Sequence, residues 1–209
     1  MIHILFLLAL VFSFSSTSHA SNNDFCVADL KGPEGPSGYP CKPPNTLSAD
    51  DFTFKNFTPG NTSNPFKISF ILASVHNFPA VNGGDISAGR IDIEEGGSAP
   101  MHTHPGGSEV LMMVTGVITV GIITPSHVFV KELKPGHCFF IPQGVMHFLL
   151  NSGKGRATVF ASYSSANPRL HVFDILAFGN NLPSSIVSQT TLINVPEVKR
   201  LKNIFGGTN

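Results

Sequence analysis

From Phe66 to Tyr163 the chain is cut into strand-length runs by turn residues, and that spacing admits few folds. Runs 66–72 and 86–93 alternate apolar and polar positions. Runs 109–114, 117–123, 128–133, 138–141, 147–150 and 157–163 follow. Thr115-Gly116, Thr124-Pro125-Ser126, Lys134-Pro135-Gly136 and Pro142-Gln143-Gly144 lie between successive runs. β-Branched and aromatic residues dominate the runs, which favours strands over helices. Short strands at intervals of about eight to twelve residues predict an all-β sandwich or barrel.

The chemistry-bearing residues sit at the ends of these runs. His102 and His104 are separated by one residue, and Glu109 follows across Pro105-Gly106-Gly107. In a strand, residues i and i+2 share a face, so the two imidazoles can lie side by side. Glu109 is at odd spacing from His104, and the Pro-Gly-Gly turn restarts the chain on a neighbouring strand so that it points back. His147 lies further on, in Gly136-x5-Pro142-x-Gly144-x2-His147-x3-Asn151. Three imidazoles and one carboxylate make a transition-metal site, and Mn, Fe, Zn and Cu all fit the donors. Asn151 is read as a strand-end turn residue. His76, His127, His137 and His171 are read as ordinary packed or surface histidines.

Lys plus Arg equals Asp plus Glu at 13 each, and charged residues are only 12% of the chain. No basic patch points to nucleic acid. Low charge beside 42% hydrophobic residues predicts apolar surface covered by other subunits.

Residues 1–20 contain the apolar run ILFLLALVFSF and a small-residue end at Ala20, which predicts a secretory signal peptide. The run is too short to span a bilayer. Secretion implies an oxidising compartment. Cys26 and Cys41, around a Gly/Pro-rich loop, are expected to pair, making residues 21–60 a disulfide-stapled extension. Cys138 is left over and is read as a buried thiol in a buried strand. Asn56 and Asn61 head N-glycosylation sequons, with Asn61 favoured because Pro59 follows the first. The barrel is assigned to residues 61–180 and a helical oligomerisation segment to 181–209. One helix there is expected from a Ser184 or Ser185 cap to Leu192. A second starts at Asn194-Val195-Pro196-Glu197 and stops at Gly206-Gly207. Its apolar face, Val198, Leu201, Ile204 and Phe205, is expected to bury against a neighbouring subunit.

The two histidine motifs match the cupin signatures, and the chain resembles plant germin-like proteins. The likeness runs from Asp24-Phe25-Cys26-Val27-Ala28-Asp29-Leu30 to Gly206-Gly207-Thr208-Asn209. Phe78-Pro79-Ala80-Val81-Asn82-Gly83, Ile141-Pro142-Gln143-Gly144 and Leu201-Lys202-Asn203 belong to it. Met101-His102-Thr103-His104-Pro105 and the Gly-Gly-Thr-Asn ending are most similar to the auxin-binding-protein-like branch. The resemblance implies a single jelly-roll barrel with short C-terminal helices, secreted to the apoplast as a glycoprotein. It also implies a homohexamer built as a trimer of dimers, with one Mn per subunit held by His102, His104, Glu109 and His147.

Some members of that family oxidise oxalate and some show superoxide dismutase activity. In the oxalate-oxidising germins one asparagine precedes the Arg of the strand before the first motif. A second lies three residues before the first ligand His. Here those places hold Gly89, before Arg90, and Ala99. Each missing hydrogen bond to a buried anion costs about 1.5–3 kcal/mol. The expectation is an intact metal site without oxalate oxidase activity, with superoxide dismutation permitted. A non-enzymatic alternative is an extracellular receptor-like protein for auxin or a cell-wall ligand, with Met113, Phe139, Phe148 or Phe160 as apolar walls. A third reading is a storage or structural protein with a relic site.

Overall fold

The computed structural model describes residues 24–208; the signal peptide expected over residues 1–20 lies outside the described residues. Ten strands form two five-stranded antiparallel sheets, as the strand spacing predicts. The first sheet has the order β1-β2-β9-β4-β7. These are β1 (Ile68–Ala73), β2 (Ser87–Ile93), β9 (Ala157–Tyr163), β4 (Glu109–Thr115) and β7 (Cys138–Ile141). The second has the order β10-β3-β8-β5-β6. Its strands are β10 (His171–Val172), β3 (Ser98–Thr103), β8 (Met146–Asn151), β5 (Ile118–Ile123) and β6 (Val128–Leu133).

Burial alternates along the strands, as a two-residue period demands. On β4, Glu109, Leu111 and Met113 face inward while Val110, Met112 and Val114 are exposed. Ile93, Ile118, Val120, Leu149 and Val159 join Leu111 in a core between the sheets. The same alternation corrects the expectation for Cys138. On β7, Phe139 and Ile141 turn inward, and Cys138 and Phe140 turn outward; the thiol is exposed. An apolar run does not make a strand buried on both faces when its sheet is covered on one.

The Cys26–Cys41 disulfide is formed, and its loop packs against the connection between β1 and β2. Ala28 N–H donates to Pro79 O at 3.0 Å, and the Asn82 side-chain amide donates to Tyr39 O at 2.9 Å. The extension also covers a charge. The Asp92 carboxylate is buried on the outer face of β2, where Arg90 Nε (2.9 Å), Thr158 Oγ1 (2.8 Å) and Gly60 N–H (3.3 Å) donate to it. Asn56 on this extension and Asn61 just beyond it are both exposed.

Three helices close the chain: α1 (Phe173–Phe178), α2 (Ser184–Thr191) and α3 (Val195–Phe205). α1 was not expected; six residues are too few for a helical period to register. α2 is capped by Pro183 rather than by Ser184 or Ser185, and it ends at Thr191, before Leu192 in the left-handed region. Asn194 caps α3 as predicted, its Oδ1 accepting from Glu197 N–H at 3.0 Å, and Gly206 ends it at φ 81°. The apolar face of α3 finds its partner mostly within the chain. Val198 is fully buried with Phe178 and Val187, and Leu201 and Phe205 pack against that cluster. Ile204 stays exposed. Lys202 is buried and donates from Nζ to Asn180 O (2.7 Å) and Thr208 O (2.8 Å), tying down the C-terminal turn. No described helix is long and apolar enough to cross a membrane.

Candidate metal centre

Four side chains from two sheets meet inside the barrel. His102 on β3 and His147 on β8 are direct cross-strand partners, with ring centroids 3.9 Å apart. A register shift between Ala99 and His102 lets both face inward despite their odd spacing, a device common beside functional sites. His104 lies just past the end of β3, in the turn that leads to β4. Glu109 opens β4, which belongs to the opposite sheet. The Pro-Gly-Gly turn therefore returns the carboxylate by crossing the barrel, not by starting the adjacent strand.

That turn is held against the turn before β8. Gly144 N–H donates to His104 O at 3.0 Å, and Gln143 Nε2 donates to Pro105 O at 2.6 Å. Gly106 is needed for the approach, since a Cβ there would lie 2.5 Å from Asn167 O. Gly144 adopts φ 73°, a left-handed conformation that favours glycine.

The hydrogen bonds settle which nitrogen of each imidazole is free. Nδ1 of His102 is 2.7 Å from Pro100 O, Nδ1 of His104 is 2.5 Å from Arg169 O, and Nδ1 of His147 is 2.9 Å from Val145 O. A carbonyl only accepts, so each Nδ1 carries a proton and Nε2 is the nitrogen each ring has to offer an ion. Glu109 Oε2 lies 3.1 Å from His147 Nε2 and 3.6 Å from His104 Nε2. Oε2 and His147 Nε2 are buried and have no hydrogen-bond partner among the described residues. Two acceptors facing each other at that distance repel, and a cation satisfies both. One ligand atom from each of the four residues lies within 4.8 Å of the others. The donor set fits a first-row metal ion.

Burial matches this chemistry. His102, His104, Glu109 and His147 are 7%, 3%, 1% and 0% exposed. Burial holds His102 down at about 3 and lowers His104, so both stay neutral and ready to donate.

Tyr163 was missed by sequence reasoning. It is the last residue of β9 and the cross-strand partner of Glu109. It is 2% exposed, and its hydroxyl donates to Glu109 Oε1 at 2.8 Å. The signal was a tyrosine in phase with the inward-facing Val159 and Ala161, since a buried phenol requires an acceptor. Burial and the Glu109 carboxylate push the phenol well above its ordinary value, so it remains a donor. Asn151 takes the turn role expected of it, donating to Ile93 O (2.8 Å) and Gly155 O (2.7 Å) and accepting from Gly153 N–H.

A cavity of about 190 Å³ opens onto His102, His104 and Tyr163. Phe66, Phe70, Ile91, Ala99, Leu170 and Ile175 supply its apolar walls. The four expected wall residues do not line it. Phe148 and Phe160 sit between inward-facing neighbours and so turn away from the interior; Met113 and Phe139 lie at the core farther along the barrel. Pairing Cα partners alternates the faces, and the even-numbered positions of β8 and β9 point out.

Residues 54–199 match the cupin family. The chain is 45% identical over 200 residues to auxin-binding protein ABP19b of Prunus persica, covering 95% of this chain and 96% of that one. It is 44% identical over 210 residues to germin-like protein subfamily 3 member 1 of Arabidopsis thaliana, covering all of both. This chain is a germin-like cupin. Among solved structures, an oxalate oxidase superposes on it with a TM-score of 0.83 at 32% identity, covering 88% of this chain and 96% of that one. The germin-like jelly roll accounts for both sheets.

Proposed function

We propose that this chain is a secreted, apoplastic, glycosylated germin-like protein of plant defence or development. In this reading it holds one manganese ion per subunit through His102, His104, Glu109 and His147. The observation that carries the reading is the facing pair of unpartnered acceptors, Glu109 Oε2 and His147 Nε2, among imidazoles whose Nδ1 atoms are all engaged. Manganese is favoured by the resemblance, and Fe, Zn and Cu fit the same donors. A bound redox-active ion would supply the electron exchange that superoxide dismutation requires. The chain's part is to keep the His102 and His104 imidazoles neutral, to exclude bulk water and to admit a small anion through the cavity.

Oxalate oxidase activity is not proposed. The cavity offers a dicarboxylate no amide and no Lys or Arg side chain. Ala99 lines it with a methyl group, and Gly89 contributes no side chain. The second carboxylate would face apolar walls, at about 1.5–3 kcal/mol for each hydrogen bond left unmade. Metal analysis by mass spectrometry on the purified secreted protein, with superoxide and oxalate assays on the same sample, tests the reading. Manganese near one equivalent with dismutase activity and no oxalate-dependent peroxide is expected. A metal-free protein, or robust oxalate turnover, would refute it.

The same cavity supports a second, non-enzymatic reading as an extracellular binding or receptor-like protein. An apolar acid such as an auxin would place its body among Phe66, Phe70 and Leu170 and its carboxylate toward the metal centre. Calorimetry with indole-3-acetic acid on metal-loaded and chelator-stripped protein separates the two readings.

A homohexamer, as a trimer of dimers, is part of the proposal. Its support is the apolar outer surface that a lone subunit leaves in water: Val110, Met112 and Phe140 on the first sheet, Phe129 on β6, and Leu176 and Ile204 on the helices.

A further inference from the structure

We infer that Tyr163 is a positioning residue that decides which oxygen of Glu109 is left for the ion, and that Gly89 exists to make room for it. The inference rests on the metal reading above. The two carboxylate oxygens of Glu109 have different surroundings. Oε1 accepts from the Tyr163 hydroxyl at 2.8 Å, while Oε2 has no donor and faces the histidine nitrogens. A phenol that donates to Oε1 commits that oxygen and fixes the carboxylate plane, so one oxygen is offered where two could be.

The phenol can reach because its strand and its neighbours are arranged for it. Glu109 and Tyr163 are paired across β4 and β9, which sets the separation of their side chains. The Tyr163 ring also packs on His104, with centroids 4.8 Å apart, so one side chain steadies two members of the set. Gly89, buried on β2 next to β9, has no side chain at this point. A Cβ there would stand 3.0 Å from the Phe70 ring, 3.3 Å from the Tyr163 ring and 3.4 Å from its hydroxyl. Either ring would have to give way. A side chain at 89 presses first on the Phe70 ring and next on the Tyr163 ring, which couples position 89 to position 163.

The test uses full-length secreted protein and Mn(II) as the probe. Tyr163→Phe keeps the ring and removes only the hydroxyl. The expected result is Mn(II) binding weakened by about 10- to 100-fold in chelator competition, the size typical of removing a group that holds a metal ligand. The low-temperature EPR spectrum of bound Mn(II) should change with it. Gly89→Ala should weaken binding in the otherwise native protein and add nothing in the Tyr163→Phe background, since both act through the same hydroxyl. Equal affinity and identical spectra in the native protein and Tyr163→Phe would overturn the inference alone. So would a fall in thermal stability of Tyr163→Phe with unchanged Mn(II) affinity, which is what a merely structural phenol produces. Additive losses in the double variant would overturn the role given to Gly89. A native protein that takes up no Mn(II) would overturn the metal reading and this inference with it.

Discussion

At the scale of single residues, position in the pleat matters more than residue type. Three of the nine histidines converge with a carboxylate, and the ring nitrogens they present are chosen by three backbone carbonyls. Replacing His104 or His147 with Ala is expected to reduce bound metal to less than about a tenth of wild type, because a ligand contributes more than the groups that orient it. Metal content after dialysis, normalised to protein, checks this. Asp92 gives a prediction for pH. Burial alone would raise its carboxyl, but the bonds from Arg90, Thr158 and Gly60 outweigh burial and hold it low. A carboxyl depressed on folding adds stability that is full above its unfolded value of about 3.9 and is lost as pH falls through the folded one. The thermal midpoint should therefore fall below about pH 4, and Asp92→Asn should flatten that limb. At neutral pH the same variant leaves Arg90 without its charged partner. Breaking a buried pair costs about 3–5 kcal/mol, and the low end fits because Arg90 is 16% exposed.

At the scale of elements, local signals and tertiary ones divide cleanly. The Asn194 cap and the Gly206 stop of α3 were legible because both act within one helical turn. Asn194→Ala should lower stability by about 1 kcal/mol in denaturant melts, with no change in metal content. The Cys26–Cys41 bridge was legible because two cysteines bracket a loop that Gly and Pro keep irregular. Its loss should lower stability by about 3 kcal/mol on the chain-entropy model, measured with Cys26→Ser/Cys41→Ser protein. The destination of the α3 face was not legible. Amphipathicity tells that Val198 must bury but not against what, and here Phe178 of the unpredicted α1 is the answer.

At the scale of the whole molecule, the proposed metal and the proposed assembly each predict a measurable effect. An ion that binds the folded chain alone adds about 4 kcal/mol at a thousand times its dissociation constant. Chelation should accordingly lower the thermal midpoint by several degrees and make it depend on metal concentration, which differential scanning calorimetry would register. The exposed Met112 and Phe140 lie on the outer face of β4 and β7. Met112→Glu with Phe140→Asp should reduce the mass in sedimentation velocity while leaving the metal content unchanged. The alternation of β4 makes the two effects separable, since Glu109, Leu111 and Met113 face the other way.

What the sequence by itself determined was the strand succession, the cupin likeness and the four residues that cluster inside the barrel. These are encoded by periodicity and by motifs of fixed spacing, where every informative neighbour lies within a few residues. Which sheet carries Glu109 was decided only by the tertiary structure, as was the exposure of Cys138 on an outward-facing position of β7. So was the cavity wall, drawn from β1, β2, β3 and the segment around Leu170 instead of from the expected phenylalanines. The phenol of Tyr163 meets Glu109 across 54 residues of chain, in space left by Gly89. No local pattern records such a meeting, because it depends on strand order and register, which are settled when two sheets close around a shared interior.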